Sequence, residues 1–343
     1  MKKISFFTFL AVCLTACAPK AAPTLTVLTH DSFMVSEQVI TDFEQANQVE
    51  VAFLGAGDAG EVLNKAILSQ VPLADILYGV DNTFLSRAIE ADIFEPYQSP
   101  MLANLTNEFM LDPGYHLLPV DYGYVCINYD KAWFASHDIP LPTSLEELLE
   151  PEYSALLVVE NPSTSSPGLA FLLATIAHFG DPGYLDYWQA LRENGVVVVD
   201  GWETAYYTNF SASSGQGPQP MVVSYATSPA AEVVYASQPL NDSPTASIIG
   251  PDTCFQQVEF AGILAGTANH SLARKFIDFL LDIQFQEDIP LQMFMYPVNP
   301  QAALPEAFTQ YALIPEQAAI LPPDEIAANR ERWIDAWIEV VLK

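Results

Sequence analysis

The stretch LTVLTHDSFMVSEQVITDFEQANQVEVAFLGAGDAGEVLNKAILSQVPLADILYGV, from Leu25 to Val80, decides the fold. Leu25 to Thr29 alternates apolar and polar residues and reads as a strand. Val35 to Ala46 reads as a helix, and Val49 to Leu54 (VEVAFL) as a second strand. Gly60 to Ser69 is a further helix, Ala74 to Val80 (ADILYGV) a third strand, and Asn82 to Ala91 is helical again. Strands that alternate with helices predict an α/β architecture, a parallel sheet covered on both faces.

Outward from this stretch the pattern repeats. Val120 to Tyr129 (VDYGYVCINY) is a longer strand-like run. A second βα series follows: strands at Leu156 to Glu160, Val196 to Val199 and Met221 to Tyr225, and helices at Pro167 to Phe179, Tyr184 to Glu193, Trp202 to Phe210 and Pro229 to Ala236. Phe255 to Leu264 (FQQVEFAGIL) is a second long run, and helices follow at Leu272 to Leu281, near Pro315 to Ile320 and at Pro323 to Val341. Two α/β units joined by two long strands predict a two-lobed clamshell. Lobe 1 takes residues 25–122 plus 260–302, lobe 2 takes residues 127–255, and residues 303–343 pack as C-terminal helices on the lobes. If the two crossing strands lie side by side, Cys126 and Cys254 become neighbours; a disulfide and two separate buried thiols are both compatible with that placement.

The N-terminus sets the compartment. Met1-Lys2-Lys3 is followed by the apolar run Ile4 to Leu14 and then Leu14-Thr15-Ala16-Cys17. A positive end, a short apolar stretch and small residues before a Cys have the form of a bacterial lipoprotein signal. Residues 1–16 are therefore expected to be removed, with Cys17 the lipidated first residue and residues 17–24 a tether. The run is shorter than the ~20 residues a spanning helix needs. Gly168 to Ala177 (GLAFLLATIA) reads as a buried helix. The expected location is extracytoplasmic, on a bacterial membrane through its lipid.

Composition removes several function classes. Asp and Glu number 42 against 12 Lys and Arg, giving a formal charge of −30. Nucleic acid is not an expected partner, because phosphate recognition needs a basic footprint. A solvated acidic surface accounts for this charge, and so does a field that attracts cationic ligands. The histidines His30, His116, His137, His178 and His270 show no metal-ligand spacing, so neither a metal nor a cofactor is expected. There is no G-x-S-x-G elbow, Walker loop or H-E-x-x-H pair. Gly55-Ala-Gly57-Asp58-Ala-Gly60 matches G-x-G-x-x-G, but it follows the second strand of an exported chain. It is better read as a tight turn presenting backbone N–H groups and Asp58 to a cleft. Ser165-Ser166-Pro167 and Ser228-Pro229 are helix starts, with Ser as cap and Pro in the first turn. Both follow strands of one lobe, so their N–H ends point to one crevice. Trp202 and Tyr225 end strand-to-helix junctions there and offer flat π surfaces to a ring or a cation.

With these residues in view, the chain resembles the thiamine-binding lipoproteins and periplasmic proteins of ABC importers. The marks are His30-Asp31-Ser32-Phe33, Asp58 near Leu63-Asn64, Gly79-Val80-Asp81-Asn82, Asp121-Tyr122-Gly123-Tyr124, Ser163 to Gly168 (STSSPG), Gly201-Trp202, Ser224 to Pro229 (SYATSP), Gln257-Val258-Glu259, Met295 to Val298 and Trp333 to Trp337 (WIDAW). The resemblance implies a type 2 periplasmic-binding-protein-like fold with two crossover hinge strands. It implies a monomeric receptor that captures thiamine or a thiamine phosphate and passes it to a membrane permease, without enzymatic chemistry. Ligand contacts are implied at Asp58-Ala59, Ser165-Ser166, Trp202 and Tyr225-Ala226-Thr227-Ser228, with His30 and Asp81 alongside. The chain departs from the family pattern at His30 and Ala231, where Tyr is usual, and at Ala59, where Gly is common. The aromatic cage is accordingly thinner. The rival expectations are a binding protein for ferric iron or a polyamine, and an exported enzyme acting on a pyrimidine. Against iron, Tyr206-Tyr207 falls at a helix start and not late in the cleft.

Overall fold

The computed structural model describes residues 22–57, 59–212 and 216–343. The signal segment, the lipidation expected at Cys17 and the contact expected at Asp58 lie outside the described residues. The first βα unit runs β1 (Thr24–Thr29), α1 (Glu37–Asn47), β2 (Glu50–Gly55), α2 (Ala59–Leu68), β3 (Ile76–Asp81), α3 (Leu85–Glu90) and the short β4 (Phe94–Glu95). The long β5 (Leu118–Asp130) leads into α4 (Lys131–His137), β6 (Leu157–Glu160), α5 (Ser166–Phe179), α6 (Gly183–Glu193), β7 (Val197–Val199), α7 (Trp202–Thr204), β8 (Met221–Tyr225), α8 (Ser228–Val234) and β9 (Thr245–Ile248). The return strand β10 (Phe255–Leu264) is followed by α9 (His270–Leu280), α10 (Ile283–Gln292), β11 (Tyr296–Pro297), α11 (Glu306–Tyr311) and α12 (Pro323–Val341).

The strand order β2-β1-β3-β10-β5-β8-β6-β7 shows how two parallel units are joined. β1 pairs in parallel with β2 and β3, and β6 with β7 and β8. Between these units β10 and β5 run antiparallel to each other and to their outer neighbours β3 and β8. Each parallel unit has its own apolar core. One gathers Leu25, Ile76, Phe260 and Phe276; the other gathers Val159, Phe171, Trp188 and Trp337. The handover falls inside the two central strands: Val120 and Val258 belong to the first core, Val125 and Phe255 to the second. At that point Cys126 and Cys254 form a disulfide with Cα atoms 4.2 Å apart, one residue beyond the Val125–Phe255 pair.

Helix α5 contains the apolar run that resembles a short membrane segment. Ser165 and Pro167 start it, and Pro167 through Ile176 are buried in the second core. No helix among the described residues is long and apolar enough to cross a membrane. Helix α12 roots in the same core through Trp333 and Trp337, and Trp188 meets Trp337 edge to face at 5.4 Å. Its N-terminal half reaches the first unit: Ser86 Oγ donates to Asp324 at 3.2 Å, and the Arg330 guanidinium lies 4.5 Å from the Phe84 ring centre.

The pattern reading misplaced some elements. Residues 315–320 are not a helix, because the backbone there bonds to the start of β10 and the residue before it: Gln256 N donates to the Ala319 carbonyl at 3.2 Å, and Ala319 N donates to the Cys254 carbonyl at 2.7 Å. The helix preceding this segment is α11 instead. Trp202 to Phe210 is a three-residue helix followed by a π-helical turn over Ala205–Asn209. Helix α3 starts late because the Asp81 carboxylate takes the Thr83 N–H at 2.7 Å in a local turn. β9 has no strand signal of its own in the sequence; it pairs with the second half of β5.

Candidate functional site

The carboxyl ends of the parallel strands converge where β5 and β10 cross. Their side chains make three neighbouring groups. The first is built after β7 and at the end of β8. Trp202 stands at the start of α7, half-buried, and its indole N–H donates to Ser224 Oγ at 2.8 Å. Ser224 Oγ in turn lies 2.9 Å from Ser228 Oγ at the start of α8. The Trp202 ring stacks on Tyr206 with centroids 4.9 Å apart. Ala226 is fully buried and uses its N–H on the Tyr124 carbonyl at 2.8 Å, so only its backbone shapes the site. Thr227 is buried, and its Oγ1 has no hydrogen-bond partner among the described residues.

The second group is a cavity of about 850 Å³ lined mainly by residues of α2, α3, α5 and α12. Ser165 and Ser166 face it together with Gly60, Phe84, Arg87 and Arg330. Ser165 Oγ accepts the Gly168 N–H at 3.4 Å, the capping bond its sequence implied. Of the expected site residues that are among the described residues, only these two serines line the cavity. Ala59, the first residue of α2, is next to its rim residue Gly60.

The third group is acidic. His30 is 6% exposed, with Nδ1 3.0 Å from Ser32 Oγ and Nε2 3.5 Å from the Glu259 carboxylate. It lies against β3 because Gly79 sits there at φ 95°; a Cβ at that residue would come within 2.2 Å of the imidazole. Asp81 ends β3, 1% exposed, with Glu259 directly opposite on β10. Asp121 on β5 lies opposite Glu259 from the other side and accepts a short hydrogen bond from the Tyr78 hydroxyl. Burial raises the Asp81 carboxyl to about 6; the Glu259 charge adds to this, while the Thr83 hydrogen bonds and Arg330 oppose it. Burial, then the Glu259 charge, holds Asp121 well above the usual carboxylate range. Glu160, at the end of β6, is pushed up by burial in the same way. Tyr225 joins the groups: its hydroxyl is raised by burial and then by Glu259, Asp81 and Glu160.

His30, Asp81 and Tyr225 are thus brought together, as are Trp202 and Ser228, while Ser165 and Ser166 line the neighbouring cavity. The residue reading missed Glu160 as a site residue and treated Asp121 and Glu259 only as marks of resemblance. A signal was present: each is a lone acid inside or ending an apolar strand run, VDYGYV, FQQVEFAGIL and LVVE. Among the described residues no group of three or more His, Cys, Asp or Glu is disposed to hold a metal ion.

The raised Asp81 carboxyl has a consequence for stability. A carboxyl bound more tightly to its proton in the fold costs nothing below about pH 4, where both states are protonated, and destabilises the fold as pH rises through about 6. Asp81→Asn keeps the acceptor for Thr83. It is expected to stabilise the ligand-free protein by on the order of 2–3 kcal/mol at about pH 7.5 and by little at about pH 4. Thermal unfolding at the two pH values checks this; a variant less stable than wild type at the higher pH contradicts it.

Three comparisons with known proteins bear on the site. The profile of the family described as bacterial extracellular solute-binding protein matches residues 71–326. The thiamine-binding periplasmic protein of Brucella suis biovar 1 (strain 1330) is 32% identical over 352 residues, covering 98% of each chain. The protein of the same name from Escherichia coli (strain K12) is 31% identical and covers 94% of this chain and 95% of its own. Among solved structures, a periplasmic thiamin binding protein superposes with a TM-score of 0.79 at 30% identity, over 93% of this chain and 96% of the other.

Proposed function

Because the chain belongs to the bacterial extracellular solute-binding protein family, we propose that it is the extracytoplasmic receptor of an ABC importer, that its ligand is thiamine or a thiamine phosphate, and that it hands this ligand to a membrane permease. The observation that carries the reading is the meeting of aromatic faces with buried acid: Tyr225 stands among Asp81, Glu259 and Glu160, and Trp202 bonds to Ser224, the residue before Tyr225. Thiamine presents two flat rings, one of them permanently cationic, and a hydroxyl or phosphate tail. The rings lie on Trp202 and Tyr225, and the positive ring gains ~0.5–2 kcal/mol from a π face. Asp58 pairs with the cation or accepts from the ligand's amino group. Ser165 and Ser166, with Thr227 and Ser228, take the tail through hydroxyl and N–H groups.

No covalent step is involved. Capture is a hinge motion of the two lobes biased by the ligand's higher affinity for the closed form. Residues 25–122 with 260–302 form one lobe and residues 127–255 the other. The pair of strands crossing between their cores, clamped by Cys126–Cys254, is the hinge. A lipid on Cys17 and the tether after it hold the receptor within reach of the permease, as a monomer.

Thiamine is expected to quench tryptophan fluorescence saturably at micromolar concentration or below. Absence of any binding heat up to millimolar thiamine contradicts the reading. The acidic floor also favours a second ligand class, the polyamines. Spermidine displacing bound thiamine, or binding where thiamine does not, would support that assignment.

A further inference from the structure

Asp81, Glu259 and Asp121 stand abreast on three neighbouring strands, Glu259 being the register partner of both aspartates. Residues directly opposite on paired strands have Cβ atoms ~5 Å apart and share a face, where like charges repel. All three are more than nine-tenths buried. Asp81 Oδ1 accepts both Thr83 bonds, and Asp81 Oδ2 has no hydrogen-bond partner among the described residues. Asp121 Oδ2 is taken by Tyr78, and Asp121 Oδ1 likewise has none. The groups facing the row come from every element around it. They are Tyr78 on β3, His30 after β1, Tyr225 on β8, Glu160 on β6 and Arg330 on α12. Arg330 is half-committed to Glu331, which its Nη1 contacts at 2.5 Å. The cationic partners therefore do not match the acids in number. Glu160, at the end of β6, acts on Tyr225 with both carboxyl oxygens unpartnered among the described residues.

The two aspartates of this row are kept beside Glu259 in the ligand-free protein by protons. A cation seated on the Tyr225 ring supplies the missing positive charge from a few ångströms away, in a buried setting where Coulomb interactions are strong. We propose that the row Asp81–Glu259–Asp121, with Glu160 across the cleft, reads the positive charge of the ligand, and that capture of a cationic ligand expels protons from it. The row works through its field and needs no direct contact. This rests on the thiamine reading above and adds a regulation to it: affinity for a cation rises with pH, and an acidified exterior loosens the receptor's grip. Uncharged ligands gain nothing from the row.

The test is calorimetry of thiamine binding to the full chain at about pH 6 in buffers of different ionisation heat, repeated between about pH 5 and 8. The expected result is release of roughly one proton per thiamine, with affinity rising up to ~10-fold per pH unit over the range where release occurs. Asp81→Asn and Glu160→Gln should each reduce the release. The wild-type count stands without them if either fails to fold. Thiamine binding with no proton release and no pH dependence overturns the row's role and leaves the thiamine reading intact. A release undiminished in both variants puts the proton on the ligand and also overturns it. No binding at any pH overturns the thiamine reading, and this inference with it.

Discussion

Replacing Cys126 and Cys254 together by Ala is expected to lower the unfolding free energy by about 5 kcal/mol. The bridge joins residues 128 apart in sequence. Constraining a loop of that length in the unfolded chain is worth about this much in the chain-entropy account. Both cysteines are fully buried, so loss of their sulfur packing adds to the cost rather than offsetting it. The effect should be felt at the crossing of β5 and β10, the strands that carry both apolar cores. Denaturant unfolding of wild type and double variant, each with and without reductant, measures it. Wild type in reductant should approach the double variant, whose own midpoint should not respond to reductant. A difference below about 1 kcal/mol between the oxidised wild type and the variant would show that the bridge does not constrain the fold.

Trp202→Ala is expected to weaken thiamine binding ~100-fold, equivalent to about 2.7 kcal/mol, while leaving the fold in place. Trp202 stacks on Tyr206 and binds Ser224 through its indole N–H, but it lies at a loop-to-helix junction and is only half-buried. Removing it leaves Ser224 Oγ bonded to Ser228 Oγ, so no buried hydroxyl is orphaned. The loss should therefore appear in ligand affinity and in the fluorescence change, with the melting temperature of the ligand-free protein within a few degrees of wild type. Unchanged affinity would remove the indole from the site.

Much of the architecture was legible because it follows from periodicity. The alternation of β1, α1, β2, α2 and β3 in residues 25–80, and the two long runs that became β5 and β10, are local patterns. The elements that were misread are those whose backbone is claimed by a distant partner. Residues 315–320 bond to β10 instead of coiling, and β9 is short and stabilised by pairing with β5. The same holds for the site. Ser165 carried the local signature of a cap and Trp202 that of a junction, whereas Ser228, expected as a cap, is the first residue of α8 after the N-cap Thr227 and turns its hydroxyl to Ser224 instead. The acidic row carried only a partial signal, lone acids in apolar strand runs; that Asp81, Glu259 and Asp121 meet follows from the strand order β3-β10-β5, and no spacing along the chain encodes that neighbourhood. The Cys126–Cys254 bridge was left open for the same reason: it needs the register of the two crossing strands, and that register is a tertiary fact.

The central claim, that the two lobes hold one thiamine-type ligand, is tested most directly by native mass spectrometry of the protein with and without added thiamine. The account predicts a single adduct of one thiamine per protein monomer at low micromolar concentration, lost or strongly reduced in Trp202→Ala. A spectrum in which no thiamine adduct forms at any concentration, while the protein is shown to be folded, would contradict it.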